Sequence, residues 1–360
     1  MPTRLGSFSR AVLFRSRKRS DGATALAERS AGAADDRPVG AIFEEIHDLE
    51  RANRADRERE RERRLVLLRH RAGVRLLADA GRKPKQPSPS KDLLPARERG
   101  SLPDVSRADL TPGLLRAGML RDGCLLVRSL VAPDQARRMA EDIDRAFEER
   151  ATLEDGGSVP DSYYEAFQPD PPFTLDEREW VREGGGVLAA DSPKVMFDLI
   201  ELFEGAGLGA VVTGYLGERS AISMNKSTLR RARPSDGGAW HQDGAFMGEV
   251  RALNVWLSLS DCGEDAPGLD VVPRRLDHTV PTGTEDAIFP WSVAPAVVSE
   301  TAGDEGTVRP VFEPGDALIF DELCLHSTYL DPRMTKTRYA IECWFFGPSA
   351  FPDDYVPLAF

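Results

Sequence analysis

The chain has 360 residues, 41% hydrophobic and 29% charged, with a formal net charge of -12. That is enough apolar material for a sizeable core, on a length that suits two domains or one large β-rich domain with an appendage. No run approaches the ~18 consecutive apolar residues of a membrane helix, and the four cysteines (Cys124, Cys262, Cys324, Cys343) form no CxxC pair, which disfavours a disulfide scaffold or zinc ribbon and makes a reducing, cytoplasmic compartment the default.

The charge is lopsided. Residues 1–100 hold 24 Lys and Arg against 15 Asp and Glu, a net of +9, and residues 101–360 carry -21. So acidic a body is a poor nucleic-acid binder. Residues 1–40 read as a disordered basic tail, although the first 20 also have the composition of an organellar targeting segment. Residues 41–80 read as one charged helix, with Ile42, Ile46, Leu49, Leu65, Leu68, Ala72 and Leu76 as its apolar stripe. This segment is a candidate for self-association or a protein partner, with His47 and His70 expected at its surface. The Pro-rich stretch 81–105 reads as a linker to a domain over 106–350, and 351–360 as a C-terminal tail.

Within that domain, Pro112 and Pro133 open helical runs around the strand candidate 123–131. The segment 155–190 is irregular, and the glycines at 205–209 mark a helix-ending turn rather than a nucleotide loop. From about 209 onward short strands follow one another: 220–232, 252–262, 268–273, 316–327 and 338–346. Their spacing and turn signals predict a mainly β jelly roll with helices packed outside it.

Two of the five histidines carry the chemical signal. His241 and Asp243 stand at i and i+2, so on an extended backbone both side chains face one way and Gln242 faces the other. His326 supplies a second imidazole from a late strand. Two His and one carboxylate, with no sulfur ligand, form the facial triad of non-haem Fe(II) oxygenases, with open positions for a co-substrate and O2. Arg338 follows on the next strand candidate, where its guanidinium can clamp a carboxylate; a triad plus such an Arg is what a 2-oxoglutarate site needs. No protein nucleophile or acid–base pair is required.

The stretch from about 110 to 347 resembles the phytanoyl-CoA dioxygenase family. The motifs that carry the resemblance are RDGCLLVRSLVAPDQARRM, WHQDGAFMG, NVWLSLSDCGEDAPGLDVVPRR and EPGDALIFDELCLHST, closed by Arg338. The resemblance implies a double-stranded β-helix that binds Fe(II) through His241, Asp243 and His326. It places 2-oxoglutarate at Arg338, with Thr328, Trp256 and Ser227 beside it. Reaction with O2 would then yield succinate, CO2 and a hydroxylated product, with ascorbate as a reductant. The Asp243 carboxylate implies oxygenation rather than halogenation. The chain departs from the family at Pro273-Arg274-Arg275-Leu276 and at Asp331, and His278 just beyond the former is expected in a loop.

The expected substrate is a small organic molecule, lipid-like or a secondary metabolite. Phe246 and Met247 are candidate lining residues, as are Tyr163, Tyr164, Phe167 and Trp180 if 155–190 folds over the site as a lid. The acidic body argues against a polyanionic substrate such as an acyl-CoA, unless the cluster Arg230, Arg231 and Arg233 compensates. The same centre would also serve desaturation, cyclisation or epimerisation, and a non-catalytic jelly-roll binding protein is the reading of another class.

Overall fold

The computed structural model describes residues 35–82, 84–88, 93–175, 181 and 186–360. Trp180, and the tail expected over 1–40 as far as residue 34, lie outside the described residues. Ten strands are described: β1 (Asp104–Ser106), β2 (Cys124–Arg128), β3 (Gly186–Leu188), β4 (Ala221–Ala232), β5 (Ala252–Ser258), β6 (Gly268–Val271), β7 (Ala317–Phe320), β8 (His326–Tyr329), β9 (Arg338–Phe346) and β10 (Pro357–Ala359). The larger sheet runs β1-β2-β7-β5-β9-β4-β10, with β3 also on β4. Its pairings are antiparallel except β1–β2. A second layer is built on the antiparallel pair β6–β8 and widened by isolated bridges, among them His241 to His326 and Val271 to Val308.

Alternation along the strands gives the larger sheet two unlike faces. Leu253, Val255, Ile341, Cys343 and Phe345 face a helical layer, while Trp256, Leu318, Phe320, Ala340 and Trp344 face the second sheet. A sheet covered by helices on one side and by a smaller sheet on the other is the expected jelly roll with helices outside. The strand expected over 316–327 is two strands. Between them Asp321 accepts hydrogen bonds from the Leu323 and Cys324 N–H groups, which turns the chain back.

The charged segment differs from the expectation. It forms two helices, α1 (Val39–Ala55) and α2 (Arg59–Ala78), because Asp56 is extended and the fully buried Asn53 side chain accepts the Glu58 N–H. Their stripe is spent within this chain. Ile42, Ile46, Leu65 and Leu68 are at most 1% exposed and belong to the same core as the sheet. The charge split becomes an internal match, as Arg57 pairs with Asp198 and Glu201, Arg63 with Glu165, Arg69 with Glu204, and Arg71 with Asp170.

The expected C-terminal tail is also structured. β10 lies along β4, and Pro357 sits so close to α2 that a Cβ on Gly73 would come within 3.0 Å of it. Truncating the fully buried Leu68 to Ala should therefore cost about 2–5 kcal/mol in urea unfolding, as for any well-packed core leucine.

His70 corrects another expectation. It is fully buried rather than at the surface: Nδ1 donates to the Pro357 carbonyl at 3.0 Å and Nε2 accepts from the Asp170 N–H at 3.2 Å. Burial holds its pKa below the usual 6.5. The unfolded chain takes up a proton at His70 below pH 6.5 that the folded chain refuses, so stability falls as pH drops through that range. Melting curves from pH 7.5 to 5 should show a shallower decline for His70→Gln.

Candidate metal centre

The site lies between the two sheets. His326 opens β8, and His241 reaches the same place through paired backbone bonds with it, His241 N–H to His326 O at 3.0 Å and His326 N–H to His241 O at 3.1 Å. This bridge fixes the two rings with centroids 4.4 Å apart. Each ring is oriented by its Nδ1, which donates to Ala239 O at 2.8 Å in His241 and to Cys324 O at 3.1 Å in His326. Both Nε2 atoms are thereby left to face Asp243 Oδ2, at 3.9 Å from His241 and 3.8 Å from His326. One ligand atom from each of the three residues lies within 4.8 Å of the others. Atoms so spaced, with no backbone partner on the converging side, fit a first-row metal ion bound by N and O donors.

The electrostatics suit a cation. Burial opposes ionisation of Asp243, yet Lys226 and the two imidazoles hold its carboxyl down to about 2. Burial and the neighbouring His241 push His326 down to about 4, so its ring is neutral and able to ligate at neutral pH. Gln242, facing away from the triad as expected, ties the layers together. Its amide donates to Leu323 O at 2.7 Å and His278 O at 3.1 Å, and accepts from Val280 N–H at 2.7 Å.

Lys226 was missed in the sequence. Its Nζ lies 3.0 Å from Asp243 Oδ1, the oxygen turned away from the histidines. The expected residue, Ser227, faces the helical layer instead, where its hydroxyl donates to Ser223 O at 2.8 Å. The reason is a register shift in β4 between Ile222 and Ser227. Ile222 and Met224 face the helices, and past the irregularity so do Ser227 and Leu229, so the alternation slips by one. Without Lys226, Asp243 is a buried charge lacking its cation. Lys226→Met should lower the melting stability of the metal-free protein by about 2 kcal/mol, with saturating Mn(II) narrowing the deficit.

Arg338 opens β9 and is 3% exposed. One Nη1 contact reaches Gly268 O at 3.4 Å, its Nε has no hydrogen-bond partner, and Cζ lies 5.5 Å from the Trp256 ring centroid. Burial depresses its pKa. Trp256 is 1% exposed, packs on Phe312, and its Nε1–H also lacks a partner. In the β6–β8 register Gly268 pairs with Tyr329 and Val271 with His326. Thr328 therefore stands on the His326 side of β8, between the triad and the strand position that Arg338 contacts. A buried guanidinium with unused donors is costly alone and fits a carboxylate ligand.

Other expected residues lie elsewhere. Phe246 reaches the site, its ring 6.2 Å from His241, while Met247 is buried between the sheets. Phe167 packs edge-on against His70 in the helical layer, Tyr163 lies under Arg145, and Tyr164 packs against the same core. The described part of 155–190 thus covers the helices and is no lid over the triad. Arg230, Arg231 and Arg233 pair singly with Glu342, Asp144 and Asp236, which leaves no joint patch for an acyl-CoA. In the divergent loop Arg275 pairs with Asp321, and Asp331 pairs with Arg333 and Tyr329.

Residues 119–330 match the family model of phytanoyl-CoA dioxygenase. The chain belongs to that family. Its members are Fe(II)- and 2-oxoglutarate-dependent oxygenases, and this chain is an oxidoreductase of that class. Solved structures similar to it include EctD from S. alaskensis with 2-oxoglutarate and 5-hydroxyectoine, at 18% identity and TM-score 0.45 over 66% of this chain and 77% of that one. AviO1 from Streptomyces viridochromogenes Tue57 is similar at 20% identity and TM-score 0.42, over 68% and 98% of the two chains. The carbocyclase SnoK from nogalamycin biosynthesis is similar at 12% identity and TM-score 0.43, over 68% and 86%. No curated protein matches the chain by sequence. Among the described residues no helix is long and apolar enough to cross a membrane.

Proposed function

We propose that this family member hydroxylates a small organic molecule, lipid-like or a secondary metabolite, using Fe(II), 2-oxoglutarate and O2, with ascorbate keeping the metal reduced. The observation that carries this reading is the pairing of a His-Asp-His cluster with a buried, under-partnered Arg338 on the same inter-sheet face.

His241 Nε2, His326 Nε2 and one Asp243 oxygen would hold the metal, and Arg338 would hold the distal carboxylate of 2-oxoglutarate. Together the bound metal and co-substrate supply the oxidising power for C–H bond cleavage. The protein's own work is positional. The Nδ1–carbonyl bonds fix both imidazoles, Lys226 occupies the second oxygen of Asp243, and Trp256 flanks the Arg338 guanidinium in a dry setting. No side chain needs to take a proton from substrate.

The test is succinate formation from 2-oxoglutarate with Fe(II) and ascorbate, comparing wild type with His241→Ala. A wild type that binds neither the metal nor 2-oxoglutarate overturns the reading. Once a substrate is in hand, a product heavier by about 16 mass units marks hydroxylation, and one lighter by two hydrogens marks desaturation.

A further inference from the structure

The triad is not equally hidden. The side chains of Asp243 and His326 are 11% and 9% exposed, whereas that of His241 is 24% exposed. Aromatic rings pack around it. Trp291 stands perpendicular to His241 with centroids 6.0 Å apart, and Phe246 lies 6.2 Å from His241 and 5.6 Å from Trp291. Phe289 stacks on Trp291 with centroids 5.0 Å apart and planes 9° from parallel.

These rings are held in place. Val293 N–H donates to the carbonyl of Trp240, the residue before His241, at 2.8 Å. The buried Ser292 hydroxyl accepts from Phe289 N–H at 2.9 Å, and Gly283 N–H bonds Ser292 O at 2.9 Å. The loop carrying Trp291 is thus anchored to the segment that carries the first metal ligand. Yet Trp291 stays 37% exposed and its neighbour Ile288 70%. A rigidly held, half-bare aromatic wall beside the one accessible metal ligand is binding surface rather than core.

The facing side has another character. Lys226 and Glu342 project from the larger sheet toward Asp243, and Glu342 is bonded to Arg230 at 3.2 Å. A ligand entering past His241 therefore meets aromatic rings on one side and charged groups on the other.

We propose that Phe246, Phe289 and Trp291 form the substrate wall of this centre and that the substrate presents a flat, apolar ring with a polar substituent, in preference to a flexible alkyl chain or a sugar. Such a ring extends the Phe289–Trp291 stack, turns its polar edge to the charged side, and loses less conformational freedom on binding than a chain does. The inference rests on the metal-centre reading above, and the experiment separates the two.

The probe is 2-naphthol, added to protein loaded with Mn(II) and 2-oxoglutarate, with 1-octanol and methyl glucoside as comparators. The readout is paramagnetic broadening of the probe's proton resonances, which reports nearness to the metal without turnover. Binding of Mn(II) itself is followed separately by the loss of free-ion EPR signal. The expected result is broadening of 2-naphthol that needs both protein and Mn(II), falls at least fivefold in Trp291→Ala, and returns largely in Trp291→Phe. Octanol and glucoside should broaden less. The wall is overturned if Mn(II) binds but naphthol is unaffected, if Trp291→Ala broadens it as wild type does, or if octanol or glucoside broadens more. Failure of Mn(II) to bind overturns the metal-centre reading, and this inference with it.

Discussion

Asp243→Ala is expected to abolish metal binding and, with it, 2-oxoglutarate decarboxylation. Outer partners of metal ligands cost roughly 10–100-fold in affinity when removed, and loss of the only carboxylate in the set should exceed that. The residue has a second role that gives the experiment an internal control. Its Oδ1 is the partner of Lys226 at 3.0 Å. Removing the carboxylate leaves that ammonium without its anion, so the metal-free variant should also melt earlier than wild type. Asp243→Ala together with Lys226→Met should recover much of that stability and none of the metal affinity. Calorimetric titration with Mn(II) and thermal melting of the metal-free proteins measure the two effects separately. A double variant that regains metal binding would show that Asp243 is not a ligand.

The second large effect is at Arg338, where function and stability should move in opposite directions. Its guanidinium is buried, its Nε is unpaired and burial depresses its pKa, all signs of a cation that the fold accommodates at a cost. Arg338→Met keeps much of the side chain's bulk beside Trp256 and removes the charge. Two charge-assisted hydrogen bonds at about 1.5–3 kcal/mol each set the scale. The affinity for 2-oxoglutarate should then fall on the order of a hundredfold or more, while the melting temperature of the ligand-free protein holds or rises. Arg338→Lys should keep the charge, lose the two-pronged geometry and fall between. Titration with 2-oxoglutarate in the presence of Mn(II) reads the first effect and melting reads the second. If 2-oxoglutarate affinity is unchanged in Arg338→Met, the assignment fails.

The parts of the site that were legible in the sequence are those where local geometry decides. A His-x-Asp needs only one bridge residue and its extended neighbour to bring both side chains to one face, even though Asp243 itself already turns into the short helix Gly244–Met247. The alternation RYAIECWFF marks β9 with the bounds that the structure has, Arg338–Phe346. Residues were misplaced where a local irregularity or a long-range contact decides. The family resemblance places Ser227 at the site, but the register shift in β4 turns it to the helical layer and brings Lys226 to Asp243 instead. His70 looked exposed on a charged helix, yet its partners lie 100 and 287 residues away in sequence. Trp291 sits in a loop with no periodicity, so nothing in its neighbourhood announced the ring contacts with His241. The helix break at Asp56 depends on a side-chain bond from Asn53 that competes with the helix.

The contact between α2 and β10 also bears on how the chain is made. Arg69 donates to the Ala359 carbonyl, His70 to that of Pro357, and Gly73 lies flat against Pro357. At roughly 5–20 residues per second on the ribosome, the 287 residues that separate His70 from Pro357 take roughly 15–60 s to appear. For that interval the apolar stripe of the early helices has no finished sheet to dock on. Among the described elements these two helices are made first, so their apolar face stays uncovered until the strand they pack on has been made.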